Sequence, residues 1–209
     1  LTIENRKDPQ NILWSRMPMR RMDAEVLFDS MLAVTGRLNL KAFGPPIEVE
    51  KLPNGEIIAK EGLLGWRRAI YVQRLRLTPV TFFELFDAPL LAPNCTERRY
   101  STVAPQALQI MNGHMVRKLA RYFAGRLIES FPQDPTKQVN HLYWSVLSRA
   151  PSTSETKVAI QSLLNLRKEW QIQLESEYIE APRSLRAEWS ALGSLCHAIL
   201  SSAEFLYID

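Results

Sequence analysis

"MRRMDAEVLFDSMLAVTGRL", residues Met19–Leu38, reads as one amphipathic helix, and that reading sets the class of the fold. Asp23 stands at its start as an N-cap, where a carboxylate can accept from the exposed amides of a first helical turn. Leu27, Met31, Val34 and Leu38 then recur at helical spacing and define a buried stripe. Gly36 interrupts the pattern, so the stop falls between Thr35 and Leu38.

Beyond this helix the character changes. In "FGPPIEVEKLPNGEIIAKEG", Ile47 and Val49 before Asn54-Gly55 and Ile57 after it predict a β-hairpin, with Asn-Gly giving the positive backbone angles of a tight turn. "RRAIYVQRLRL" is β-branched and aromatic enough for a further strand, Pro79 closes it, and "VTFFELF" predicts a short helix. A proline-bearing loop over 87–101 follows. The next helix starts near Ser101 or Thr102, tolerates Pro105 in its first turn, and runs to Phe131 with a kink at Asn112-Gly113. Another covers Pro135–Ser148. In "RAPSTSETKVAIQSLLNL", Ser152 and Glu155 form a capping box. The last helix places Trp189, Leu192, Cys196, Ile199 and Ala203 on one side, after the linker-like "ESEYIEAPRS". The expected class is mainly α, a helical domain with a small β-hairpin and strand insertion, folding as a single domain over 1–209.

The chain has 209 residues, ample for a hydrophobic core, with 46% apolar and 23% charged residues, the balance of a folded globular protein. Its formal charge of +4 is spread out: 15 basic and 12 acidic residues up to Tyr100, 11 and 10 after it. That lacks the one-sided basic stripe of a nucleic-acid binder. Two cysteines, Cys95 and Cys196, exclude a disulfide framework or zinc ribbon within the chain, and no apolar run approaches the roughly 20 residues of a membrane span. Leu1 is not an initiator methionine and "LTIENRKDPQ" is polar, so a piece of a longer protein, without a signal peptide of its own, is expected.

Several spaced strings, "DPQNILW", "RRMDAE" with "DSMLAVTGRL", "GPP", "RRAIYVQRLR", "LFDAP", "CTERRYSTVAPQALQIMN", "LSRAPSTSE" and "LCHAILSSAEFLYID", follow one another as in a known family. The chain resembles the domain of unknown function 1553, the planctomycete-specific domain, over essentially its whole length, as that domain's C-terminal two-thirds. The resemblance implies a C-terminal position in a large protein with a cytochrome-c-like domain upstream, and an extracytoplasmic or cell-envelope location. It implies haem on that upstream domain only and no cofactor in this chain. It assigns no reaction and no catalytic residue.

Candidate sites follow from the residues. Glu25 and Asp29 are four apart, on one helix face, and two close carboxylates can divide acid and base roles. Against this, Asp23 and Glu25 suit a helix N-terminus, and Arg21 lies four before Glu25. Three double arginines, Arg20-Arg21, Arg67-Arg68 and Arg98-Arg99, carry forks that match carboxylate, phosphate or sulfate, or else clamp Asp23, Glu25, Asp29, Asp87 and Glu97 inside the fold. Arg98, Arg99, Ser101, Thr102 and Gln106, at a loop running into a helix N-terminus, are the candidate anion site if the chain binds any ligand, while inward packing of that loop is the favoured expectation. "GSLCHAIL" keeps only the Cys196-His197 half of a haem-attachment motif, since Gly193 stands at the first cysteine position. His114, His141 and His197 have no metal-ligand spacing, and no glycine-rich phosphate loop or G-x-S-x-G is present. Trp66, Tyr71, Tyr100, Tyr143 and Trp144 are aromatics of the kind that line a sugar site, but most fall on core-like positions and are read as core.

Two functions fit. The first is a non-catalytic helical module whose partners are the upstream domains of its own polypeptide, an envelope protein or an anionic glycan. The rival is part of an enzyme, hydrolytic or redox-linked, acting on anionic polysaccharide.

Overall fold

The computed structural model describes residues 8–62, 65–89, 98, 100–175 and 183–208. Its framework is helical: α1 (Ala24–Val34), α2 (Thr81–Leu85), α3 (Ala104–Asn112), α4 (His114–Ser130), α5 (Pro135–Leu147), α6 (Thr153–Glu175), α7 (Arg183–Leu200) and α8 (Ala203–Leu206). Six short strands decorate it, β1 (Arg20–Arg21), β2 (Leu38–Asn39), β3 (Val49–Lys51), β4 (Ile57–Ala59), β5 (Trp66–Arg67) and β6 (Tyr207–Ile208). The mainly α class with a small β insertion is observed.

Helix α1 buries Ala24, Leu27, Phe28, Met31 and Leu32, a wider face than the predicted stripe. Val34 is only partly buried, and Leu38 lies beyond the helix in β2. The helix stops in a Schellman turn: Gly36 takes φ 74°, its N–H donates to Ala33, and the Arg37 N–H donates back to Leu32 at 2.8 Å. Arg126 of α4 reaches across to donate to the Val34 carbonyl at 2.8 Å, bringing a cation to the negative end of the helix. Phe82 and Phe83 of α2 pack on Phe28, with Phe28–Phe83 centroids 5.1 Å apart, and the adjoining Phe86 stacks on Phe82.

The hairpin pairs β3 with β4 antiparallel, Val49 opposite Ala59 and Lys51 opposite Ile57. Its turn differs from the expected one. Only Gly55 has positive φ (89°), while the Gly55 N–H donates to Leu52 and the Asn54 side chain accepts from Glu56, a three-residue loop opened by Pro53. The strand expected over "RRAIYVQRLRL" is broken. Trp66–Arg67 pairs parallel with Leu38–Asn39, and Ala69–Tyr71 turns into a 3-10 segment. The cause lies 40 residues away: Asp29 accepts from the Ala69 N–H at 2.6 Å and from Arg68 Nε at 2.9 Å, capping that turn from the flank of α1.

Gly113 divides the predicted long helix into α3 and α4; a Cβ there would lie 2.4 Å from the Gln109 carbonyl oxygen. Helix α3 begins at Ala104, later than expected. Asp134 caps α5 through the Lys137 N–H, Pro135 occupies its first turn, and Ser148 ends it in the left-handed region. The Ser152 box forms as read: the Glu155 N–H donates to Ser152 Oγ at 3.2 Å, and the Ser152 N–H donates to Glu155 Oε2 at 2.7 Å. Helices α4 and α7 make the most extensive helix pair, burying Leu119, Phe123, Leu127, Leu192, Cys196 and Leu200. Trp189, expected on the buried side, is 41% exposed, with its indole N–H donating to the Arg121 carbonyl. The chain then returns to its start, where β6 pairs antiparallel with β1, Arg20 opposite Ile208 and Arg21 opposite Tyr207. The linker-like stretch lies mostly outside the described residues.

Candidate functional site

The acids of α1 sit one turn apart because the helix places residues i and i+4 on one face. Glu25 accepts from Arg74 on Oε1 and from Arg98 on Oε2, both at 2.9 Å. Burial alone raises its carboxyl, but the Arg98 hydrogen bond and the charges of Arg98 and Arg74 outweigh that and hold it below the ordinary glutamate value. Asp29 serves Arg68 and the Ala69 amide. Asp23 occupies the N-cap position without its side chain capping; one of its oxygens is buried without a hydrogen bond, 3.8 Å from Arg98. Arg21 bypasses Glu25 and binds Asp87 across 66 residues.

That Asp87 pair organises the second candidate site. Arg21 is 6% exposed, lies against the Phe86 ring and donates to Asp87 at 2.8 Å. Asp87, at φ 60°, also accepts from the Ser101 N–H at 2.8 Å and the Ser101 hydroxyl at 2.9 Å. Gln106, 5% exposed, donates to the Leu85 carbonyl and accepts from the Val103 N–H. The protein's own carboxylate therefore occupies the place an external anion would take beside Ser101 and Gln106. Helix α3 starts three residues past Ser101, Thr102 is exposed, and Arg98 turns away to Glu25. Arg99, Glu97 and Cys95 lie outside the described residues.

Among the described residues Arg68 and Arg98 meet the acids of α1, while the other described members of the three arginine pairs go elsewhere. Arg67 stacks on Tyr71 and donates to the carbonyls of Lys41, Phe43 and Pro45, Arg68 serves Asp29, and Arg20 is exposed. Of the five aromatics expected in the core, Trp66 and Tyr143 are buried, Tyr71 is half-buried under Arg67, and Tyr100 and Trp144 are more than half exposed. Cys196 is fully buried, which pushes its thiol well above the ordinary range, and His197 donates through Nε2 to the Ile110 carbonyl at 2.9 Å. Among the described residues no group of three His, Cys, Asp or Glu side chains stands together as a metal site, and no helix is long and apolar enough to cross a membrane.

Among the described residues two surfaces bear on function. Glu25, Asp29, Arg68 and Arg74 line an open cleft of about 450 Å³ beside α1, with Ile70, Val72 and Pro89 as its apolar wall. The sequence named its acids but missed Arg74, which carries no doublet signal. The second surface is residues 8–20. There the Asp8 carboxylate accepts from the N–H groups of Ile12 and Leu13, both at 2.9 Å, and Arg16 donates to the Asp8 and Pro9 carbonyls. Asn11 and Arg16 exchange two further bonds. This polar frame turns Ile12, Leu13 and Trp14 outward at 69, 78 and 79% exposure, with Met17 and Met19 beside them in sequence. Trp14 takes φ 55°, a costly conformation for a bulky residue.

Fold and site together describe a mainly helical chain in which Glu25, Asp29 and Asp87 are held by arginines. The chain belongs to the family described as PSD1, protein of unknown function (DUF1553), which matches residues 2–163. The resembling string "LCHAILSSAEFLYID" lies beyond the matched residues. Comparisons with curated proteins and with solved structures gave no match.

Proposed function

We propose that this chain is a non-catalytic helical interaction module, one domain over 1–209, that docks onto upstream domains of its own polypeptide. One contrast carries the reading: Glu25, Asp29 and Asp87 are paired with arginines of the same chain, while apolar side chains of residues 12–19 point outward from a loop braced by hydrogen bonds. A general acid near neutral pH needs a raised carboxyl, and Glu25 is shifted the other way. A cluster of exposed apolar side chains in an ordered loop is what association surfaces present. The family's expected setting extends this proposal: a secreted or cell-envelope protein in which haem belongs to an upstream cytochrome-c-like domain. The rival reading, part of a hydrolytic or redox-linked enzyme acting on anionic polysaccharide, draws on one observation, the open cleft beside Glu25 and Asp29.

The two readings separate in one binding assay. The upstream portion of the parent polypeptide, produced separately, is titrated with this chain by light scattering. The module reading expects complex formation that Leu13→Ser/Trp14→Ser abolishes and Glu25→Gln/Asp29→Asn leaves intact. Complex formation indifferent to the loop variant contradicts it.

A further inference from the structure

The chain carries six methionines, and the fold treats them in two ways. Met31 is fully buried and Met115 is 6% exposed. Met22 is half-buried, and its sulfur accepts from the Ser30 hydroxyl at 3.9 Å. Met17 and Met19 are the opposite case, 61 and 72% exposed on either side of Pro18, in the same loop as Ile12, Leu13 and Trp14. Met111 of α3, 58% exposed, is the third open thioether and lies outside that loop. Cys196 does not compete for an oxidant, because it is fully buried and its thiol is pushed well above the ordinary range.

An open thioether has a definite chemistry with hydroperoxides. A sulfur lone pair attacks the terminal oxygen, the O–O bond breaks and an S–O bond forms. The proton on the transferred oxygen passes to the departing one, which leaves as water or an alcohol. An electron pair has moved from sulfur to peroxide, and methionine has become its sulfoxide. A flexible apolar side chain is thereby made polar, with an acceptor oxygen that needs a hydrogen bond wherever it is buried. At an exposed position such as Met111, water supplies that bond. Inside an apolar contact nothing supplies it, so sulfoxides in the docking loop oppose association.

We infer that Met17 and Met19 form a modification site, where oxidation by a hydroperoxide releases the chain from its partner and reduction of the sulfoxides restores the contact. The inference rests on the docking reading above and adds to it the condition under which docking fails.

The test compares chain treated with hydrogen peroxide and repurified against untreated chain, each titrated calorimetrically into the upstream portion of the parent polypeptide. Oxidation is expected to weaken binding about tenfold or more, the scale of one apolar side chain no longer buried. Methionine sulfoxide reductases of both stereospecificities should then return the affinity. The same comparison is made for two variants. Met17→Leu/Met19→Leu has no thioether in the loop, so peroxide should cause it no further loss, whatever its starting affinity. Met111→Leu should lose as much as the wild type. Wild-type affinity unchanged by peroxide, a loss that persists in Met17→Leu/Met19→Leu, or a loss abolished by Met111→Leu would each overturn the switch and leave the docking reading in place. Untreated chain that fails to bind the upstream portion would overturn both.

Discussion

A single residue, Asp87, shows how this fold treats charge. Its carboxylate neutralises Arg21, which is 6% exposed, and receives two hydrogen bonds from Ser101, so an internal anion holds the loop before α3. Replacing Asp87 with Ala leaves a buried guanidinium uncompensated and should cost about 3 kcal/mol in urea unfolding, toward the low end for buried pairs because Asp87 is 21% exposed. An unchanged urea midpoint would show that Arg21 finds another partner. Glu25 gives a second prediction at this scale. Its folded-state carboxyl lies below 4.5, so its contribution to stability is present above that value and fades as pH falls through the folded one. Carbon-detected NMR titration should place its midpoint below 4.5; a midpoint near neutrality would mark it as an acid held ready for catalysis.

At the scale of elements, legibility follows sequence distance. The Ser152–Glu155 box was readable because both partners lie within four residues, and Gly36 marked the end of α1 for the same reason. The breaking of the strand at Ala69 was not readable, because its cause, Asp29, is 40 residues away. Nor was the preference of Arg21 for Asp87 over the nearer Glu25, since only tertiary packing brings Phe86 and Asp87 to β1. The doublets flagged Arg21, Arg68 and Arg98, which clamp Asp87, Asp29 and Glu25 as the structural reading expects, but gave no sign of Arg74. Ser152→Ala should lower stability by roughly 1 kcal/mol in thermal unfolding, and an unchanged midpoint would place the start of α6 elsewhere. Glu155 adds a pH dependence. Arg149, with help from the Ser152 amide and hydroxyl, pulls its carboxyl down to about 2. The stabilisation it brings is complete above about 4.5 and disappears as pH drops toward 2. Glu155→Gln should therefore flatten the acid limb of the stability curve, and a limb as steep as the wild type's would assign it to other carboxylates.

On the scale of the whole molecule, the two ends of the described chain are joined. Strand β6 pairs with β1, Met22 donates to Leu206, and Phe205 (6% exposed) anchors α8 while Glu204 binds Arg149. Phe205→Ala should cost about 3 kcal/mol and raise amide exchange at Arg21 and Met22 together; exchange confined to residues 203–208 would show that the junction is only local. This closure ties the C-terminal end of the loop of residues 8–20 to β6. The central claim is that this loop associates through its apolar side chains. The most direct measurement is the heat-capacity change when the chain binds the upstream portion of its polypeptide, taken from calorimetry at several temperatures. Apolar docking predicts a clearly negative change that largely disappears in Leu13→Ser/Trp14→Ser, whereas binding with a change near zero, or one untouched by that variant, would contradict it.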